Sequence, residues 1–379
     1  MASSSTAQLL LELIARPSVN PAFLPAGDAR AGEGRVADFL GELANANGLD
    51  FERSEVLAGR FNVLVRLNPS ASVRRRVILA PHLDTVGFPA LNEQLQPRLA
   101  KERIHGRGAC DTKGCVASMF QALLQVARSG HRPRETEILF VGLIDEENGQ
   151  AGSRHFALHG PKADLAVVGE PTRLRVITAH KGDVWLRIKT RGRSAHGAKP
   201  HLGRNAVLAM ARVVEVIEGE YGPSLQQRRH PLLGTATVNV GSIQGGSQPN
   251  IVPDECVISV DRRTLPGETE ADVRRELRQH LRRHHLTVTF ENLRLAPCPP
   301  LETEPNLPLV RQLCRSAGQK RTWGVDYFCD AAPLAEGGIP SVVFGPGDIA
   351  QAHTADEWIS VASLDRGTAI LENFLRSLP

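Results

Sequence analysis

Residues able to do chemistry are concentrated in five short stretches: HLDT (82–85), GRGACDTKG (106–114), DEENG (145–149), VVGEPT (167–172) and GPGDIAQAHTADE (345–357). In the first, His82 and Asp84 have the spacing at which a ring nitrogen binds a divalent cation while the aspartate accepts the N–H of the other nitrogen. In the second, Asp111 sits in a glycine-rich turn that opens a helix, where a plain helix cap is the simpler reading. In the third, Asp145, Glu146 and Glu147 repel one another unless a cation or protons neutralise them. The last two carry Glu170 and His353, and each by itself reads as a turn. As a set they say more. Two histidines and three carboxylates, with no cysteine, suit a hard-to-borderline divalent ion, and a pair of zinc ions bridged by one carboxylate would use them all. A leftover glutamate can then act as base. Cys110 and Cys115, flanking Asp111, read as small buried hydrophobes.

Regular elements must hold these stretches in place. Continuous apolar runs at 77–80, 138–144 and 165–168 precede the first, third and fourth stretches, and read as strands buried on both faces. Phe61, Val63, Val65 and Leu67 alternate as a half-buried strand does, and 114–127 and 151–158 carry helical periodicity. The order predicts an α/β sheet with helices on both sides, whose sites lie beyond the strand ends. After about residue 178 the grammar changes to short elements: strands at 184–188, 235–243, 256–262 and 286–290, with helices at 205–217 and 268–283. That order, βαββαβ, predicts an inserted α+β ferredoxin-like domain. Helix, strand and helix signals at 307–317, 341–344 and 364–375 return to the first pattern. The expected division is therefore 1–177 with 292–379 for a discontinuous, mixed-sheet catalytic domain, and 178–291 for the insert.

Composition excludes other classes. With 379 residues, 41% hydrophobic and 23% charged, the chain is too long for one core and too apolar for disorder. The surplus of 45 basic over 41 acidic residues, net +4, is too small to coat the surface with positive potential. One basic segment, Arg274, Arg275, Arg278, Arg282, Arg283, His284 and His285, lies opposite Val273, Leu277 and Leu281 without interleaved aromatics. It reads as a solvated helix face, so no nucleic-acid partner is expected. No run approaches the roughly 20 apolar residues of a membrane span. Six cysteines without paired CxxC motifs, and a start lacking a basic, apolar leader, point to a reducing cytoplasm.

In order and spacing, the five stretches resemble the motifs of the di-zinc amidohydrolase family that contains acetylornithine deacetylase, succinyl-diaminopimelate desuccinylase, aminoacylase and the carboxypeptidase G type. GRSAHG (192–197), SQPNIVP (247–253) and DRRTLPG (261–267) extend the resemblance into the insert. It implies His82 and Glu170 on one zinc, Glu147 and His353 on the other, Asp111 bridging both, Glu146 as general base and Asp84 orienting His82; cobalt or manganese could replace zinc. It also implies a cis peptide after Asp111. His196 would reach the active site of a partner subunit, so the insert would be a dimerisation and lid domain and the protein a homodimer. Asn250 and Arg262 match positions implicated in substrate binding. The implied reaction removes an N-acyl group from an amino acid. AHKG (179–182) and the GPG…QAH run look most like the acetylornithine branch, with desuccinylase, dipeptidase or carboxypeptidase activity as alternatives. A metal-free binding protein on the same fold is the rival from another class, disfavoured because all five ligand positions and the base position are filled.

Overall fold

The computed structural model describes residues 4–87, 91–130, 132–294 and 297–379. The chain forms two compact units, one of Met1–Thr178, Thr303–Trp323 and Cys329–Pro379, the other of Ala179–Glu302 and Gly324–Phe328.

A mixed sheet organises the first unit. Asp50–Leu57 pairs antiparallel with Arg60–Leu67, and that strand pairs antiparallel with Thr136–Gly142. Arg75–Pro81, Leu165–Gly169 and Ser341–Val343 follow in that order, each parallel to its neighbour. The apolar runs at 138–144 and 165–168 do form strands buried on both faces, although the first ends at Gly142. Register sets the site. Pro81 lies opposite Gly169, and His82 bridges to Leu143, so His82, Glu170 and the DEENG loop all leave the sheet at one level.

Lys113–Arg128 is buried almost throughout, because it lies between the sheet and the helices Ser5–Ile14 and Val361–Arg376. Its Phe120 meets Phe140 of the sheet edge-on, with ring centroids 5.1 Å apart, an arrangement that favours the aromatic quadrupoles. A small antiparallel sheet of Arg98–Ala100, Arg103–His105 and Trp358–Ser360 binds the approach to Asp111 to the segment after His353. Asp50–Leu57 was not foreseen. It is a partly exposed edge strand whose polar residues, Asp50, Glu52, Arg53, Ser54 and Glu55, break any apolar alternation.

The second unit is a four-stranded antiparallel sheet in the spatial order Thr237–Gly245, Glu255–Thr264, Gly182–Arg191, Thr289–Asn292. Val184, Leu186 and Ile188 share one core with Met210 and Val213 of Ala206–Val216 and with Val273, Leu277 and Leu281 of Glu270–Arg283, so both helices cover the same face. This is the βαββαβ arrangement. Several boundaries differ from expectation by one to three residues. Thr269 caps the second helix in a capping box with Asp272, which leaves Glu268 outside, and the last strand begins at Thr289 rather than 286. The outer edge of Thr237–Gly245 has no partner strand among the described residues. Nor, among those residues, is any helix long and apolar enough to cross a membrane.

Candidate metal centre

Seven of the residues singled out by sequence converge at the strand ends of the first unit. His82 is buried, and its Nδ1 lies 3.0 Å from the backbone carbonyl of Asp84. A carbonyl only accepts, so Nδ1 carries a proton and Nε2 faces the cluster, free to bind a cation once its own proton is displaced. Asp84 therefore orients His82 through its backbone. Its carboxylate, 3.5 Å from Nδ1, also accepts the N–H groups of Glu146 and Glu147 at 3.1 and 3.2 Å and the Asn20 amide at 2.7 Å. Asp84 thus has a second task, holding the DEENG loop.

Asp111 is the hub. Its Oδ1 lies 3.2 Å from His82 Nε2, and its Oδ2 lies 3.3 Å from His353 Nε2. Glu170 reaches within 3.8 Å of His82 Nε2, and Glu147 within 3.0 Å of His353 Nε2. Potential ligand atoms of His82, Asp111 and Glu147 fall within 4.8 Å of one another, as do those of His82, Glu146 and Glu170. The Asp111–Thr112 peptide is cis. Asp145, the remaining carboxylate of the loop, is drawn away by Asn20 at 3.0 Å and Arg60 at 3.1 Å.

The cluster holds more negative charge than it can settle. Burial pushes Glu146 and Glu170 well above the usual carboxylate range, with neighbouring carboxylates adding to the shift while His82 opposes it. Burial, then Asp111, raises Glu147 to about 7 against the pull of His353. Hydrogen bonds to Asp111 and Glu147 raise His353 to about 10. Burial works against charge on His82 and Asp111 as well, yet their mutual contacts hold His82 high and Asp111 low. One carboxylate oxygen, Glu147 Oε1, is buried without a hydrogen-bond partner. Hard oxygen donors and imidazole nitrogens, packed together with an unmet acceptor, form a donor set that fits divalent cations of the zinc type.

The other three predicted residues lie in the second unit. The backbones of His196 and Ile251 are bridged, and Gly197 donates to the Asn250 carbonyl at 2.7 Å, so His196 and Asn250 stand side by side on exposed loops. His196 Nδ1 accepts the Ala198 N–H at 3.1 Å, which leaves Nε2 as the protonated nitrogen and an outward donor. Arg262 departs from expectation. Its side chain is fully buried, hydrogen-bonded to both Glu268 oxygens at 3.0 Å, to Tyr221 Oη at 2.9 Å and to the Arg263 carbonyl. With its donors so engaged it locks the core, and the next residue, Arg263, occupies the opposite face of the strand with 27% of its side chain exposed.

Sequence reasoning missed the supports of the cluster. Asn20 and the Arg60–Glu33 pair (2.5 Å) carry no local motif, because they act by reaching across the fold. Asp330, buried and hydrogen-bonded to Ser153 at 2.5 Å, is raised to about 7 chiefly by burial.

Comparisons with known proteins agree with this geometry. Residues 78–377 match the model of Peptidase family M20/M25/M40. The chain is 30% identical over 368 residues to an acetylornithine deacetylase of Vibrio cholerae, covering 92% of this chain and 93% of that one. An acetylornithine deacetylase of Aliivibrio salmonicida is 28% identical, with 91% of each chain covered. Among solved structures, a tripeptidase from Staphylococcus aureus superposes with a TM-score of 0.78 at 22% identity, covering 98% of this chain and 97% of that one. A dinuclear metal-binding peptidase from Bacillus subtilis superposes with a TM-score of 0.69 at 14% identity, covering 98% and 96%. The chain therefore belongs to Peptidase family M20/M25/M40 and is a hydrolase of that family.

Proposed function

We propose that the protein is a dinuclear metal-dependent amide hydrolase that removes the acyl group from an N-acylated amino acid, with N-acetylornithine as the first substrate. The observation that carries this reading is Asp111, whose two carboxylate oxygens each face a different histidine. His82 and Glu170 would complete one cation site and Glu147 and His353 the other, with zinc as the default ion and cobalt or manganese as substitutes. The named relatives support the substrate: they are acetylornithine deacetylases across nearly their full length, whereas the peptidases among the solved structures share the fold at lower identity.

Metal ions at these two positions would polarise the acyl carbonyl and lower the pKa of the attacking water. Glu146 takes the proton of that water and returns it to the departing nitrogen, which leaves well only when protonated. Its buried, carboxylate-rich surroundings raise its proton affinity, as suits a group that must hold a proton between those two steps. His196, with its Nε2–H directed outward, donates to the oxyanion. We assign that histidine to the partner subunit of a homodimer formed through the inserted unit, whose unpaired edge strand offers a surface for a second copy. Six buried free cysteines are consistent with a reducing, cytoplasmic setting.

The test is turnover of the metal-reconstituted protein on N-acetylornithine, N-succinyl-diaminopimelate and a set of dipeptides, side by side. The deacetylase reading expects N-acetylornithine to give the highest kcat/KM. A dipeptide or the succinyl substrate exceeding it by tenfold would reassign the substrate and leave the amide-hydrolase reading in place.

A further inference from the structure

Glu357 ends the fifth stretch but has no part in the proposed chemistry. It is 2% exposed, and each of its carboxylate oxygens accepts two hydrogen bonds. Oε1 takes the N–H groups of Cys110 at 2.8 Å and Asp111 at 2.9 Å; Oε2 takes the N–H of Gly108 at 3.0 Å and Arg107 Nη1 at 2.7 Å. Arg107 Nη2 in turn donates to the Thr354 carbonyl at 3.1 Å, and Gly106 N–H to the Glu357 carbonyl at 3.1 Å. One buried carboxylate thus fixes the loop that presents Asp111 against the loop that presents His353.

We propose that Glu357 is a positioning residue that sets the separation of the two cation sites. It holds the Asp111 carboxylate so that one oxygen faces His82 and the other His353. The inference rests on the dinuclear reading above and adds a residue to it. Its consequence is selective. His82 and Glu170 hang from two sheet strands and keep their places without Glu357, so the first site loses only the hold on Asp111. The His353 side depends on the clamped loop, so loss of the clamp weakens the second ion more than the first. Charge alone does not explain this role, because the site requires an acceptor on both oxygens. Glutamine at 357 would turn an amide NH2 toward two donors.

The experiment titrates Zn²⁺ into metal-free wild type, Glu357→Gln and Glu357→Asp by calorimetry, with elemental analysis of bound zinc and melting temperature recorded in parallel. Wild type should bind two ions. Glu357→Gln should bind the first with near wild-type affinity and the second about 10- to 100-fold more weakly, the range typical of outer-shell changes at metal sites. Glu357→Asp, which keeps the charge on a shorter side chain, should show the same ranking and serves if the amide variant does not fold. A lowered melting temperature with both affinities unchanged would make Glu357 merely structural and overturn the inference. Wild type that binds no zinc would instead overturn the dinuclear reading itself.

Discussion

The two units treat charge in opposite ways. In the inserted unit, most charged side chains are exposed or closed into local pairs, such as Arg262 with Glu268, Arg228 with Glu276 and Arg274 with Glu270; Asp183, buried and raised to about 7 chiefly by burial, is a single buried carboxylate rather than one of a cluster. In the first unit, Asp84, Asp111, Glu146, Glu147 and Glu170 are brought together with only His82 and His353 as potential cations among them. Burying like charges is costly, and a fold that keeps them together in the absence of a counter-ion must retain protons. The contrast separates electrostatics that hold an architecture from electrostatics that await a ligand.

Breaking the unsettled cluster should have the largest effect. Glu146→Gln preserves shape but cannot shuttle a proton, so turnover should fall by about 10²- to 10⁴-fold. Bound metal, measured by elemental analysis, should stay at the wild-type level. A wild-type rate in this variant would remove Glu146 from the mechanism.

The inserted unit should contribute next. His196→Ala alone should lower kcat by about 10²- to 10³-fold, the usual cost of one oxyanion donor. Mixing it with Glu146→Ala under conditions that exchange subunits tests the assignment in trans. Mixed dimers would carry one doubly defective and one intact site, and activity should recover to about a quarter of wild type at equal proportions. Proven exchange without recovery would place His196 in its own chain's site or outside catalysis.

Titration sharpens the contrast further. In the metal-free protein Glu147 is raised from 4.5 to about 7 and His353 from 6.5 to about 10, so the folded state binds more protons than the unfolded chain. Stability should then fall as pH rises, first between about 4.5 and 7 as Glu147 loses its proton and then from about 6.5 to 10 as His353 does. Zinc should flatten this slope by taking the place of the protons. A melting temperature that rises with pH over that window in the metal-free protein would contradict the assignment.

The smallest effect belongs to ordinary architecture. Thr269→Ala removes the capping box of Glu270–Arg283 and should cost about 1 kcal/mol of stability. Thermal melting would show a shift of a few degrees, with kcat/KM unchanged in the folded protein.

Much of this was legible in the sequence because the candidate ligands follow buried strands. Apolar runs such as 165–168 announce both the strand and its end, and Glu170 follows directly. The failures have physical causes. The family resemblance matches Arg262 to a substrate-binding position, although Cys256, Ile258 and Val260 mark the buried face of that strand and Arg262 continues their two-residue period. Glu357 acts on backbone N–H groups about 250 positions away in the chain, and a backbone donor leaves no residue-type signal. The polar edge strand Asp50–Leu57 is specified by its hairpin partner rather than by its own alternation.

The central claim is that the Asp111 cluster holds two catalytic cations. Its most direct measurement is the activity of metal-free protein on N-acyl amino acids as zinc is added in known equivalents, with bound zinc determined at each step. Chelated protein should be inactive, and activity should saturate at about two ions per chain. Full turnover in the metal-free protein, or saturation without any zinc bound by the wild type but not by Asp111→Asn, would contradict the account.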